Sequence, residues 1–276
     1  MKYKVITENA ADFIKHLTET KKPFFSFADA QAFMDSFSKN YIQEFLEDLV
    51  DRQLIMRLKK GLYVLVPYDT PVNEFFPDRH LTASILVDGR AYYIGYYTAL
   101  QLHDLTTQPA LAEQVVVDRR IIPTEQNIKG VNFQFISHNN NHFFGSKKTW
   151  VEFLNQTYPV NYSDLEKTII DCLYRPDYAG GIVEIAKGIY RARTKLKYSK
   201  MLIYLKRMQS QAVIKRLGFL LELYNIDFPI ARELQELKTA SYIVLDPIHP
   251  KMGKTQRRWS IQINIDLETV KQAPFS

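Results

Sequence analysis

The sequence predicts an α+β protein, an N-terminal winged helix-turn-helix followed by a mixed α/β C-terminal region. Three short helical segments run straight into a basic strand–glycine–strand hairpin, the element order of a winged helix. Strand and helix patterns then mix beyond a proline-punctuated linker. The 276 residues, 46% hydrophobic and 24% charged, suffice for one large core or two to three modest ones.

Residues 8–19 read as the first helix, with Ala11, Ile14 and Leu17 at three-residue spacing beside Phe13. Lys21-Lys22-Pro23 stops it, because proline cannot continue the hydrogen-bond ladder. Ser26 is an N-cap candidate with Asp29 three residues on, opening a second helix at about 27–34. Ser38 caps the third, about 39–52, where Tyr41, Ile42, Phe45, Leu46, Leu49 and Val50 form an apolar stripe. Leu54–Leu58, Lys59-Lys60-Gly61 and Leu62–Val66 then read as a hairpin with a basic tip.

In such a module the third helix enters the major groove and the wing touches the backbone. Off the apolar stripe lie Lys39, Asn40, Gln43, Glu44, Glu47 and Asp48. Asn40 and Gln43 have the chemistry to read adenine edges, and Lys39 can neutralise phosphate. Arg57, Lys59 and Lys60 complete the expected DNA-binding set, with Lys59 and Lys60 on phosphates.

Pro67, Pro71 and Pro77 mark a linker, so the expected domains are residues 1–70 and 78–276. The second divides further near 160 into a β-rich part and a helical basic part. Its β-rich part reads as helix 79–87, strand 91–94, helix 97–103 and strands 115–117 and 131–136. The helical part reads as helices near 163–174, 181–192, 200–208, 210–225 and 229–237, then strands 242–245 and 259–265.

Residues 161–276 hold 19 Lys/Arg against 12 Asp/Glu, whereas residues 1–80 hold 11 against 12. Between Glu184 and Glu222 there is no acid at all. Arg191, Arg193, Lys195, Lys197, Lys200, Arg207 and Arg216 therefore form the expected anion-binding or antitoxic surface. On helix 200–208, Lys200, Tyr204 and Arg207 fall on one stripe suited to phosphate or to an acidic protein.

Three later segments carry a resemblance. They are Ala91-Tyr-Tyr-Ile-Gly-Tyr-Tyr-Thr-Ala-Leu-Gln-Leu-His-Asp-Leu105, then Ser163-Asp-Leu-Glu-Lys-Thr-Ile-Ile-Asp-Cys-Leu-Tyr-Arg-Pro176 with Gly180-Gly181, then Leu245-Asp-Pro247 with Arg258-Trp-Ser-Ile-Gln-Ile-Asn264. Behind a winged helix, in this order, the chain resembles the AbiEi family over nearly its whole length. These are antitoxins of abortive-infection toxin–antitoxin systems, also described as predicted transcriptional regulators of viral defence. The resemblance implies a winged helix that binds a double-stranded DNA operator and represses its own operon. It also implies a C-terminal domain that opposes a nucleotidyltransferase-like toxin, functionally or by direct contact. The near-neutral winged helix departs from the family, whose winged helices are usually basic.

Other chemistries find little support. His138 and His142 lie on a polar turn without a third ligand, so no metal is expected. Asp164, Glu166, Asp171 and Asp177 resemble a nuclease carboxylate cluster, but Glu166 turns away from Asp164 on a helix. Cys172 sits among apolar neighbours as a core thiol, and as the single cysteine it excludes an internal disulfide. Trp259 with Ile261 and Ile263 alternates into a core. No phosphate-binding glycine loop or nucleophile elbow occurs, so neither an enzyme nor a cofactor is expected. No apolar run reaches the roughly 18 residues of a membrane span, and the start lacks a signal-peptide core, so a cytoplasmic location is expected. The competing readings are a regulator with a ligand-sensing or dimerising second domain, and an enzyme acting on nucleic acid.

Overall fold

Apolar periodicity builds the first unit. In the computed structural model, which describes residues 4–275, helix α1 (Glu8–Glu19) buries Ala10, Phe13 and Leu17. Strand β1 (Phe24–Ser26) leads into α2 (Phe27–Phe33) through a reciprocal cap. Ser26 Oγ accepts from the Asp29 amide at 3.1 Å, and Asp29 Oδ2 accepts from the Ser26 amide at 2.8 Å. Ser38 caps α3 (Lys39–Asp51), which buries Ile42, Leu46 and Leu49. Strands β2 (Ile55–Lys59) and β3 (Leu62–Leu65) follow, and the antiparallel sheet runs β1-β3-β2. These elements share one core with Phe25, Met34, Leu54 and Tyr63. The short β1, only three residues long, was not expected from the sequence.

The first unit runs to Leu86 and also takes in Asn127–Val131 and Trp150–Pro159. The expected boundary at 70–78 is therefore corrected to the end of α4 (Arg79–Leu86). The linker is tied back rather than free. Lys4 Nζ donates to the carbonyls of Pro67, Tyr68 and Thr70 at 2.7–2.9 Å, and Lys59 Nζ donates to the Leu86 carbonyl at 3.3 Å.

The second unit holds the rest, without a division near 160. It brings β4 (Tyr92–Ile94), α5 (Tyr96–Leu102), β5 (Ala112–Val117), β6 (Glu125–Ile128), β7 (Val131–Ser137), β8 (Ser146–Phe153) and β9 (Gln156–Ser163). The sheet order is β6-β7-β5-β4-β9-β8, the tips of its two terminal hairpins being the segments grouped with the first unit. Strand β4 is antiparallel to β5 and parallel to β9, and β5 is parallel to β7.

The helical part holds α6 (Leu165–Tyr174), α7 (Gly181–Ala192), α8 (Tyr198–Met208), α9 (Gln211–Leu223) and α10 (Ala231–Leu237). A small sheet of β10 (Ile243–Val244), β11 (Thr255–Gln256) and β12 (Ile261–Gln262) precedes α11 (Leu267–Gln272). Helix α6 packs against α5, α7, α8 and α9, so its residues 166–173 are all buried. Gly218 on α9 lets the buried Trp259 ring lie against the helix backbone: a Cβ there would sit 2.2 Å from the ring. No helix among the described residues is long and apolar enough to cross a membrane.

Candidate nucleic-acid interface

Because α3 buries Ile42, Leu46 and Leu49, its opposite face turns Lys39, Asn40, Gln43, Glu44 and Glu47 to solvent. Ser38 Oγ accepts from the Tyr41 amide at 3.3 Å and fixes where the helix begins. Along β2 the inward Met56 and Leu58 alternate around an exposed Arg57. The tip turns at Gly61, whose φ of 75° suits glycine, and leaves Lys60 exposed.

Lys39, Gln43, Glu47, Arg57 and Lys60 thus line one groove of about 710 Å³, with Phe27 and Tyr63 in its wall. Three cations face a single carboxylate there. Gln43 Nε2 donates to Glu47 Oε1 at 3.2 Å, and the Arg57 guanidinium lies 3.8 Å from that oxygen. Asn40 shares the exposed face of α3 but does not line the groove. Lys59 stands apart: it is only partly exposed, and its ammonium is bound to the Leu86 carbonyl. The expectation of paired phosphate contacts at the wing tip therefore narrows to Lys60.

The expected basic surface of the second unit loses Arg216 and Lys200 to contacts within the fold, whereas Arg193, Lys195, Lys197 and Arg207 stay exposed. Arg216 is 4% exposed and donates to the carbonyls of Leu245, Leu173 and Val244, so it is a buried carbonyl clamp. Burial lowers its pKa to about 10, Asp246 and Asp177 offsetting part of that. Lys200 bridges Asp164 at 3.0 Å and Glu166 at 2.9 Å. Partial burial alone would lower its pKa, but hydrogen bonds to Glu166 and Asp164 outweigh it and hold the ammonium well above its usual value. Tyr204 donates to Asp164 at 2.7 Å, and burial first, then that bond, pushes it up to about 12. Arg207 lies over the Phe144 ring at 4.4 Å and donates to the Asn140 carbonyl. Lys200 and Tyr204 of the expected stripe are thus engaged by Asp164 and Glu166, while Arg207 remains exposed. Arg193 stays exposed but rests on Tyr190 at 4.0 Å, while Lys195 and Lys197 are exposed and Arg191 is half-buried.

The four carboxylates considered as a nuclease cluster are likewise committed. Asp164 caps α6 by accepting from the Lys167 amide at 2.9 Å. Glu166 accepts from the Lys197 amide and from Lys200. Asp171 pairs with Lys167, and Asp177 with Arg175. Among the described residues, no group of three His, Cys, Asp or Glu is placed to hold a metal ion.

His138 is not on a polar turn tip but 5% exposed. Its ring nitrogens meet Tyr93 Oη at 3.2 Å and Tyr96 Oη at 2.7 Å. Burial lowers its pKa to about 4, Asp171 opposing the shift. Tyr93 also donates to Asp171 at 2.9 Å, and Lys167 Nζ sits 4.6 Å from the centre of the Phe144 ring. This buried network was not foreseen. Its one trace in the sequence is a Lys and an Asp four residues apart on α6, on either side of Ile169 and Ile170. Cys172 is fully buried, and desolvation raises its pKa well above normal.

The chain is therefore a mixed α+β protein, with an exposed groove in its first unit and a densely hydrogen-bonded second unit. No family model matches it, and neither does any curated protein. Its fold is similar to the crystal structure of the RV2827C protein from Mycobacterium tuberculosis, with a TM-score of 0.66 at 10% identity over 93% of this chain and 92% of that one. At that identity the likeness concerns the fold alone.

Proposed function

We propose that the first unit is a winged helix-turn-helix that binds duplex DNA, and that the protein is an autorepressing antitoxin of the AbiEi type. What carries the reading is the convergence of Lys39, Gln43, Arg57 and Lys60 on one groove from two separated stretches of sequence. The groove collects cations although the stretch 1–80 as a whole does not, so the neutral composition is no obstacle to phosphate binding. In this reading α3 enters the major groove and Lys60 on the wing meets the backbone. Asn40 and Gln43 meet bases. The second unit opposes a nucleotidyltransferase-like toxin, with Arg193, Lys195, Lys197 and Arg207 as exposed members of the basic stretch and Arg191 half-buried. A second reading, a regulator whose second unit senses a small molecule, draws on a cavity of about 500 Å³ bordered by Tyr97, Gln114, Tyr178 and Glu184.

Fluorescence anisotropy with duplex from upstream of the gene tests the DNA arm. Changing Lys39 and Lys60 to Gln should reduce the slope of log affinity against log salt by roughly 0.9 per lost contact. Lys59→Gln should leave the slope unchanged. Wild-type binding by the Lys39/Lys60 variant refutes the proposed interface. Growth with a neighbouring nucleotidyltransferase-like gene co-expressed tests the antitoxin arm, and failure to rescue growth refutes it.

A further inference from the structure

Gln43 and Glu47 lie one helical turn apart on the outward face of α3. The Gln43 Nε2 donates to Glu47 Oε1 at 3.2 Å. Arg57 from β2 holds the same carboxylate oxygen at 3.8 Å, and its guanidinium lies 5.5 Å from the centre of the Tyr63 ring. Four side chains from α3, β2 and β3 therefore form one chain of contacts across the groove.

The chemistry of this chain decides which way the Gln43 amide faces. A carboxylate only accepts hydrogen bonds. Turning the amide over would set its oxygen against the Glu47 carboxylate, two acceptors with no proton between them. The nitrogen must face Glu47, so the carbonyl oxygen is directed away from it. Gln43 then presents an acceptor to whatever enters the groove, and Glu47 adds negative charge behind it.

In the major groove, exocyclic amino donors occur only on adenine, at N6, and on cytosine, at N4. Guanine O6 and N7 and thymine O4 are acceptors and would oppose both the Gln43 oxygen and Glu47. We propose that Gln43, oriented by Glu47 and Arg57, selects a base bearing an exocyclic amino group and rejects guanine and thymine at that position. Glu47 is a positioning residue in this arrangement. Its presence in a phosphate-binding groove also acquires a reason: it weakens binding to random DNA while sharpening the choice of base, repulsion against wrong partners being a route to specificity.

The inference rests on the DNA-binding reading. The full chain is used to select sites from a duplex library with a random core. The base met by Gln43 is the position whose preference disappears in Gln43→Ala. That base is then stripped of its amino group, with purine replacing adenine or 2-pyrimidinone replacing cytosine. The wild type should lose affinity by about tenfold on losing the amine. Glu47→Gln frees the amide to turn, so the same deletion should cost it no more than about threefold. Its affinity for random duplex should rise, because a negative charge near phosphate is gone. Glu47 is exposed, so its replacement leaves the fold intact. A wild type that tolerates the missing amine overturns this inference alone, as does an equal loss in wild type and Glu47→Gln. A wild type that binds no duplex overturns the DNA-binding reading as well.

Discussion

Replacing Asp171 with Asn isolates the most exposed weakness of the second unit's core. Lys167 and Asp171 are both fully buried and paired one helical turn apart on α6. Asp171 also accepts from Tyr93, and the Lys167 ammonium lies over the rings of Phe144 and Tyr93 at 4.6 and 5.4 Å. Asparagine keeps the shape and a hydrogen-bond acceptor but removes the counter-charge. Breaking a buried pair in this way costs about 3–5 kcal/mol, because a buried ammonium is left uncompensated. In a unit of this size that corresponds to a drop of roughly 10 °C in melting temperature. The pH dependence sharpens the test. Burial lowers the Lys167 pKa and Asp171 opposes that shift, so the variant's lysine titrates lower still. The folded state then holds fewer protons than the unfolded chain between that lowered pKa and ~10.4. Stability therefore rises with pH across this window, more in the variant than in the wild type. The assay is urea unfolding followed by fluorescence of the buried Trp259, at several pH values up to about 10. The double variant Lys167→Met/Asp171→Leu, which removes both charges, should recover most of the loss. A deficit below about 1 kcal/mol that is independent of pH, or a double variant no better than Asp171→Asn, refutes the reasoning.

Three further outcomes follow from the same structure. With its pKa near 4, His138 is neutral in the fold, whereas its unfolded value is ~6.5. The stability it contributes is complete above that unfolded value and is lost as pH falls toward 4, by about 3 kcal/mol in all. His138→Gln should flatten the unfolding profile in that window, and an unchanged profile would exclude His138 as its cause. Gly218→Ala would drive a Cβ to 2.2 Å from the Trp259 ring, which is held by its Nε1 bond to Glu222 at 2.7 Å. The expected loss is about 2–3 kcal/mol by denaturant titration, and near-wild-type stability would mean the helix yields freely. Lys200→Glu sets a third carboxylate against Asp164 and Glu166 and should cost about 3 kcal/mol, whereas Arg191→Glu should stay within about 0.5 kcal/mol. Equal urea midpoints for these two variants would show that the Lys200 bridge contributes nothing.

Elements whose apolar faces are wide were legible in the sequence. The first helix was expected at 8–19 and stands at Glu8–Glu19, since Phe13 and Leu17 mark one buried face. Helix α7 likewise matches its expected span, 181–192. The hairpin of β8 and β9 was missed for a physical reason. Residues of β8 alternate only between half-buried and exposed, and the apolar Trp150 stands on the exposed face, so the sequence carries little polar–apolar contrast. Pro159 within β9 further obscured it. Its turn places Leu154 and Asn155 at φ 47° and 57°, and leucine is no signal for that conformation. The strand β1 is too short for any pattern to emerge. In the groove, Lys39 and Gln43 could be named from the helix face and Arg57 and Lys60 from the hairpin, but their grouping required knowing that β2 returns beside α3.

The basic stretch is only in part a cationic surface, because formal charge is not the same as field. The acid-free run between Glu184 and Glu222 suggested a cationic surface, yet sequence distance says nothing about which acids fold back onto it. Lys200 takes Asp164 and Glu166 from α6 and its cap, and Lys187 takes Glu184 at 2.8 Å. Lys215 and Arg216, neighbours on α9, are both buried and satisfied by neutral oxygens of Thr239, Ser241, Leu245, Leu173 and Val244. A helix as deeply packed as α9 admits a cation only where such acceptors neutralise the cost of desolvation. The first unit shows the converse. Its stretch of sequence is almost neutral, but its acids are distributed so that Lys39, Arg57 and Lys60 meet only Glu47 across the groove. A polyanion responds to charges within about a screening length, ~8 Å at physiological salt, so the local arrangement outweighs the regional sum. The near-neutral sum of the first stretch therefore does not decide the sign of the field in its groove.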